Sequence, residues 1–550
     1  MPSTLLAAGL IVALWLFARV LSSLRSVKTT RLNGPPSPSR LWGFTHYLAQ
    51  SRVKEFDIHA VYEEWAAQYG AVYRIPLAFG KERIVLTDPK ALAHFYSSER
   101  AVYVKSELER RFIGKMFGHG VLAAEGESHK RQRKALTPAF SNAAIRRLTH
   151  VFFDSAHKLS SFWDATLEGS FDGSAMIEVQ DWMNRVALDS MGIAGFSYDF
   201  GYLDGKSSPV TRAFEAMQTI PASFAAGVVM LLSQTFPILT SIPTKRTRLF
   251  MDLRDSMNVI ANRLLETTRR EKETGVTEEF SEKSIIGLLL KSELETSELR
   301  MSQEEIVAQN ILLLAARYET TSSALTRALI ELAKHPHIQD KLRKELSSFN
   351  AGDPTWDQLV STSELPYLDA VTQEVLRLQP SLPQLQRVAA CDDVIPLDAA
   401  VLSSAGEPIT NITIAKGTTV FIPMRAINRS DALWGPQAKE FIPERWLEEI
   451  TVPARELQGH RHLLTFHDGP RMCLGKAFAL AEFKAGRILV DPLSGVLNML
   501  QAVLSVLVRN YIFEFPDPDV KIETHIAIVP RAKVAGEIGA RVPMRVRRVN

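Results

Sequence analysis

Residues 466–475, which read FHDGPRMCLG, constrain this chain more than any other part of it. They contain Cys473, one of only two cysteines among 550 residues, in a turn that leads into an apolar helical pattern. A cysteine at a helix start beside Arg471 lies where the local potential favours the thiolate. Gly469 and Gly475 lack a Cβ, so the backbone there can turn tightly and approach a flat cofactor. Arg471 could pair with a carboxylate of that cofactor.

A single cysteine also limits which metal this segment could bind. Zinc needs four ligands, usually paired Cys or His, and Cys473 has no clustered partners in the sequence. One thiolate suits the axial position of a haem, where it donates electron density to the iron and favours O–O cleavage. Phe466 would then shield the sulfur from water. We therefore predict Cys473 as the ligand of a haem iron; an inert buried cysteine is the alternative.

The segment resembles the haem-binding loop of the cytochromes P450, and further motifs of that family precede it in the family's order. Glu374 and Arg377 match the family's Glu-x-x-Arg pair, which alone is an ordinary helical ion pair. Residues 441–446 (FIPERW) resemble the segment whose arginine, here Arg445, joins that pair in a buried structural network. The resemblance implies a mainly α fold with small β-sheets (α+β), the cytochrome P450 fold, over nearly all of residues 40–550.

Residues 311–322 read as a long buried helix that carries Glu319 and Thr320; a plain core helix is the alternative. In the family this helix lies over the iron. The resemblance implies that Thr320 hydrogen-bonds the oxygen that the haem activates and that Glu319 relays protons through water. Threonine can also bond a carbonyl one turn back. The family usually has glycine at the position of Arg317, which we expect either to turn away from the haem or to meet an anionic group of the substrate.

The implied cofactor is heme b (iron protoporphyrin IX), and the sequence offers candidate partners for its two propionates. His129 and Arg133 are four residues apart, so they share one helix face and can each meet a carboxylate. They resemble the family's propionate-binding helix; a solvated basic face is the alternative. Arg387 lies where the family often places another such partner. Arg471 completes the set.

The N-terminal residues 1–24 are mostly apolar and, at about 20 apolar residues, can just span a bilayer. A cleaved signal peptide is the alternative. Basic residues follow in a proline-rich linker over residues 25–45, so the positive-inside rule places the downstream domain in the cytosol. This arrangement resembles microsomal members of the family and implies a single-pass anchor in the endoplasmic reticulum membrane. Residues 46–550 would form one haem-thiolate catalytic domain.

Composition excludes several other classes of protein. A net charge of +3 is too small and dispersed to predict nucleic-acid binding. Two cysteines exclude a disulfide framework and suit a reducing compartment. Apolar spacing predicts a helix over residues 57–70, and alternation predicts small sheets. The expected strands lie in residues 71–88, 410–423 and 521–549. Substrate-pocket residues are expected near 104–121, 214–242, 315–323, 382–386 and 526–531.

Residues 486–501 form an anomaly just after the cysteine segment. The family pattern predicts a continuous helix from Ala479 into residues 503–510, but Pro492 and Gly495 are unfavourable in a helix interior. We hypothesise that residues 486–501 are an insertion from a retained intron that keeps the reading frame. A surface loop is the alternative.

Together these features predict a membrane-bound haem-thiolate monooxygenase of fungal type, acting in secondary metabolism. It would insert one oxygen atom of O2 into a lipophilic small molecule. Electrons would come from NADPH through a separate NADPH–cytochrome P450 reductase, since the chain has no convincing flavin or nicotinamide motif. A reductase-independent haem-thiolate isomerase or dehydratase, and a non-catalytic haem protein, are the alternatives.

Overall fold

The computed structural model describes residues 27–45, 47–48, 58–140, 146–196, 198–219, 245–274, 299–348, 352–477, 494–525 and 529–549. The α-helices delimited there, from α1 to α16 in chain order, are Ile58–Tyr69, Pro89–Ser98, Glu107–Phe117, Gly126–Leu136, Thr149–Glu168, Val179–Phe196, Pro209–Thr219, Lys245–Thr274, Gln303–Lys334, Pro336–Ser347, Trp356–Val360, Pro366–Leu378, Met424–Asn428, Asp431–Trp434, Leu474–Ala477 and Ser494–Asn510. The β-strands, from β1 to β12, are Val72–Pro76, Glu82–Leu86, Tyr103–Val104, Ser174–Glu178, Leu385–Ala389, Asp393–Leu402, Pro408–Ile414, Thr419–Ile422, Tyr511–Glu514, Ile522–His525, Arg531–Val534 and Pro543–Arg548.

The strands form small sheets beside the helical body. The largest has the order β1-β2-β8-β5-β3, in which β2 and β8 are parallel and the other neighbours are antiparallel. A three-stranded sheet has the order β4-β12-β9, and β6-β7 and β10-β11 form two-stranded sheets. The predicted α+β class is therefore confirmed.

Helix α9 is the central element of the larger apolar core. A capping box between Ser302 and Glu305 fixes its start, since each side chain bonds the other's backbone N–H. The apolar residues 311–315 are buried, and α9 packs against α6, α8, α12 and α16. The predicted buried helix over 311–322 is thus the middle of a 32-residue helix.

Several local predictions are confirmed by the observed elements. The helix expected over 57–70 is α1, and the strand pair expected over 71–88 is the antiparallel pair β1-β2 with its turn at Ala78–Gly80. The expected strands in 410–423 and 521–549 correspond to β7 and β8 and to β10, β11 and β12. Within the described ranges, no helix combines the length and apolar character needed to cross a bilayer. The proposed anchor, residues 1–24, lies outside those ranges.

One prediction near the C-terminus is wrong in its boundary. We expected an interruption to last until about Gln501, but α16 already begins at Ser494. Met499 and Leu500 are buried, and Leu500, Val503 and Leu507 continue one apolar face at helical spacing, which outweighs the poor propensity of Gly495. Residues 478–493 lie outside the described residues, so the insertion hypothesis stays a prediction.

Candidate active site

The cysteine segment, residues 466–475, forms a tight loop that leaves the thiol of Cys473 exposed. The backbone N–H of Cys473 donates to the carbonyl of Phe466 over 2.9 Å, and a single 3-10 turn at Gly469–Arg471 precedes α15, which contains Gly475. Gly469 has φ +63°, and a Cβ there would lie 2.3 Å from the carbonyl oxygen of Tyr96. Only glycine fits this turn without a backbone shift.

Glu125 lies between two cations beside this loop. Its carboxylate pairs with the guanidinium of Arg471, and its Oε1 lies 3.6 Å from Nζ of Lys105. Nη1 of Arg471 also donates to the carbonyl of Ala124 over 3.2 Å. Burial, together with the charges of Arg471 and Arg387, lowers the pKa of Lys105 to about 7. Burial likewise lowers the pKa of Arg471.

Arg387, predicted as a propionate partner, already uses its donors within the protein. Its Nε and Nη2 lie 2.8 and 2.7 Å from Oε1 of the buried Glu99. Its Nη1 donates to the carbonyl of Gln386 over 2.8 Å and lies 3.7 Å from Oε1 of Glu109. The structure brings Arg387 into the cationic cluster, but its geometry favours a role in positioning Glu99 over direct contact with a cofactor.

His129 and Arg133 lie one turn apart on α4, as predicted, and neither side chain bonds to a described residue. Burial, together with the charge of Arg133, lowers the pKa of His129 to about 4. Burial lowers the pKa of Arg133, while the thiol of Cys473 acts in the opposite direction. Nε2 of His467 and Nε of Arg471 are buried and have no hydrogen-bond partner within the described residues.

The side chains of His129 and Arg133 and Nε of Arg471 bond to no described residue, which suits carboxylates such as the two propionates of a haem. The residues present therefore fit this group in three respects. The thiol of Cys473 is accessible. The loop makes a turn that only Gly469 allows. Nε of Arg471 has no hydrogen-bond partner within the described residues.

The predicted proton-delivery pair lies on α9, but its two members face different surroundings. Among the described side chains of residues 311–323, only those of Ala316 and Thr320 are not buried. Oγ1 of Thr320 donates to the carbonyl of Ala316 over 2.7 Å, the contact one turn back that the sequence analysis anticipated. Glu319 is different: its side chain is 3% exposed, and Oε2 accepts from the backbone N–H of Val529 over 3.0 Å.

The carboxylate of Glu319 is also 3.3 Å from Nη2 of Arg531, so both of its oxygens are engaged away from Thr320. Residues adjacent in a helix point about 100° apart, so Glu319 and Thr320 face different sides of α9, and the proton relay through water that the resemblance implies stays a prediction. The side chain of Arg317 lies outside the described part of the structure, and the two expectations for it stay predictions.

The predicted buried network of Glu374, Arg377 and Arg445 is confirmed. Glu374 and Arg377 are both fully buried on α12, with Oε1 and Nη2 2.7 Å apart, and Nε of Arg445 lies 3.0 Å from the same carboxylate. Sequence reasoning missed Trp446, whose indole N–H donates to Oε2 of Glu374 over 2.9 Å. Trp446 could have been predicted as a member of this network, because it directly follows Arg445 in the sequence.

Sequence reasoning also missed several ionisable residues of the site: Glu99, Lys105, Glu125 and His467. Glu99, Lys105 and Glu125 lie on separate connections, and no spacing rule links Glu99 and Glu125 to partners 288 and 346 positions later. His467 lies inside the cysteine segment and could have been found by listing every polar residue there.

Comparison with known proteins agrees with this site. A family model described as Cytochrome P450 matches residues 35–489. The chain is 53% identical over 546 residues to the cytochrome P450 monooxygenase claP of Ampulloclitocybe clavipes, which covers 98% of this chain and 97% of that protein. It is 33% identical over 553 residues to the cytochrome P450 monooxygenase 205 of Postia placenta, covering 98% and 96%. The chain therefore belongs to the cytochrome P450 family and is an oxygen-incorporating oxidoreductase whose cofactor is a haem.

Proposed function

We propose that this chain is a haem-thiolate monooxygenase that binds heme b through Cys473 and oxidises a lipophilic small molecule in secondary metabolism. The observation that carries the proposal is the exposed Cys473 in a loop beside Arg471, whose Nε has no hydrogen-bond partner among the described residues. The names of the fungal relatives describe monooxygenases, which supports the reaction class.

The partners follow from the family and from the sequence outside the described ranges. O2 is the co-substrate, and electrons come from NADPH through a separate NADPH–cytochrome P450 reductase. Residues 1–24 anchor the chain in the endoplasmic reticulum membrane as a single pass, and the basic linker over residues 25–45 keeps the catalytic domain in the cytosol. The mostly apolar composition of residues 5–24 supports the anchor.

When bound, the haem supplies the O–O cleavage that a thiolate ligand favours. His129, Arg133 and Nε of Arg471, which has no partner among the described residues, would orient its carboxylates, and Gly469 would allow the loop to approach closely. Phe466, almost fully buried, would shield the sulfur from water once the haem covers the exposed side of Cys473.

Thr320 gives its one donor to Ala316, so its oxygen keeps lone pairs to accept a hydrogen bond from a neighbouring water or hydroxyl. Thr320 can therefore orient such a hydrogen-bond donor at Oγ1 on the open side of α9.

The carbon monoxide difference spectrum of the reduced full-length chain tests this proposal. A far red-shifted Soret band would show thiolate ligation. Cys473→Ser should lose that band, whereas the control Cys391→Ser, at the other exposed cysteine, should keep it. A red-shifted band in Cys473→Ser would overturn the ligand assignment.

A second measurement separates the monooxygenase from its rival. Product formation that needs both NADPH and the reductase supports the monooxygenase. Rearrangement of an organic hydroperoxide without either would indicate an isomerase or dehydratase instead.

A further inference from the structure

A pair of buried amide side chains joins α4 to α9. Nε2 of Gln309 donates to Oε1 of Gln132 over 2.7 Å, and Nε2 of Gln132 donates to Oε1 of Glu305 over 2.9 Å. Both amides are buried, and each of them donates and accepts, so neither can turn over without losing a bond. The pair therefore fixes the distance between α9 and α4, the helix that carries His129 and Arg133.

The same two amides bind the loop that connects α3 to α4. Oε1 of Gln309 accepts from the backbone N–H of Val121 over 3.1 Å. Nε2 of Gln132 lies 3.3 Å from the carbonyl oxygen of His119 and donates to it as well. The amide pair thus satisfies backbone groups of a loop that lies nearly 190 positions before Gln309 in the sequence.

Two glycines let this loop lie directly on α9. Gly118 has φ +79°, and a Cβ there would lie 2.8 Å from Cβ of Ala308. A Cβ on Gly120 would lie 3.1 Å from Oε1 of Gln309. Both distances are below the ~3.5 Å at which van der Waals contact becomes favourable, so there is no room for a side chain between the loop and α9.

The loop borders the open part of α9. At about 100° per residue, Gln309, Ala316 and Thr320 lie within about 40° of one another around the helix axis. Ala316 and Thr320 are not buried, and Thr320 lies about 16 Å along the helix from Gln309. The loop also carries the exposed apolar side chain of Leu122, directly after Val121. The open face is therefore bounded at its N-terminal end by a loop with an apolar residue.

We propose that Gln132 and Gln309 are positioning residues that hold the loop Gly118–Leu122 as an apolar wall at the end of the open face of α9. A substrate that extends from Thr320 to this wall gains affinity from it, whereas a small ligand does not. The proposal rests on the proposed function, because it places the haem and the substrate on that face.

The test compares two ligands that bind haem iron through an imidazole nitrogen, by optical titration of the holoenzyme. 1-Methylimidazole stays near the iron, whereas the chain of 1-dodecylimidazole is long enough to cover α9 from Thr320 to Gln309. Gln309→Met keeps the side-chain volume but removes both amide bonds. It should weaken binding of 1-dodecylimidazole by about fivefold or more and change that of 1-methylimidazole by about twofold or less. A purely structural role would weaken the binding of both ligands alike.

The matched control is Asn310→Leu, at the next position of α9. Asn310 is fully buried, and neither atom of its amide has a hydrogen-bond partner within the described residues. This variant removes a buried amide from the same helix without breaking a bond to the loop, so the ratio of the two affinities should stay at the wild-type value. An unchanged ratio in Gln309→Met, or an equal change in both variants, would overturn the proposal.

A second variant keeps the proposal testable if Gln309→Met does not fold. Gly120→Ala leaves both amides in place but should displace the loop, because its Cβ would crowd Gln309 and the backbone of Ala308. We expect the same selective loss of 1-dodecylimidazole binding. The control Gly169→Ala, whose Cβ would come no closer than 3.6 Å to its neighbours, should bind both ligands as wild type does. Equal binding by these two variants would overturn the proposal. Absence of the red-shifted carbon monoxide band in wild type would instead contradict the proposed function, and this proposal with it.

Discussion

Replacing Glu374 by alanine removes the acceptor at the centre of a fully buried network. Its carboxylate accepts from Nε and Nη2 of Arg377 over 2.8 and 2.7 Å, from the N–H of Ile442 over 3.0 Å, from Nε of Arg445 over 3.0 Å and from the indole of Trp446 over 2.9 Å. The variant leaves all of these donors without their carboxylate. Burial already lowers the pKa of Arg377, but hydrogen bonding to Glu374 opposes that shift.

The magnitude follows from the charge that stays behind. Arg377 keeps the carbonyls of Asn428, Ala438 and Glu440 as acceptors, so its hydrogen bonds are only partly lost. Its charge, however, loses the compensating anion, which costs about 3–5 kcal/mol for a buried pair. An unfolding entropy of about 2.1 cal/mol/K per residue, over roughly 500 residues, converts this cost into a Tm lower by about 3–5 °C.

Thermal unfolding of the holoenzyme at one fixed scan rate would measure the effect, because unfolding of a protein of this size is often irreversible. The matched control is Asp431→Asn, which breaks an exposed pair with Lys439 at 3.2 Å and should change stability by about 0.5 kcal/mol or less. If Glu374→Ala kept a Tm within about 1 °C of wild type with full haem content, the reasoning about the buried charge would be refuted.

Two further predictions concern the haem site. Gly469→Ala should lower haem content and thermal stability, because its Cβ would meet the carbonyl of Tyr96. The control Gly536→Ala is also at positive φ but has open space around it, so it should cost only about 1–3 kcal/mol of backbone strain. Equal losses in both variants would contradict the close approach of Gly469 to Tyr96. His129→Ala and Arg133→Ala should each release haem to apomyoglobin roughly 10 to 100 times faster than wild type, as expected for loss of a charged hydrogen bond. Lys134→Ala, exposed on the same helix, should not, and equal release rates in all three would argue against propionate binding.

Much of the local structure of this protein could be predicted from short stretches of sequence. The loop around Cys473 is contiguous, so its turn and its glycine at positive φ follow from ten residues. The bond from Thr320 to Ala316 spans one helical turn and needed no tertiary information. The strand pair β1-β2 is local in the same way. The boundary at Ser494 was wrong, because the buried face of α16 overrode the poor helix propensity of Gly495.

The sequence could not predict which charged residues pair with each other. Glu125 and Arg471 are 346 positions apart, and Glu319 and Val529 are 210 apart. No periodicity connects such residues, since a carboxylate takes whichever donors the packed helices and strands bring within reach. The sequence by itself therefore determined the fold class, the candidate iron ligand and the hydroxyl on α9. The tertiary structure alone decided that Glu319 faces Arg531, because two buried charges must compensate each other wherever the fold places them.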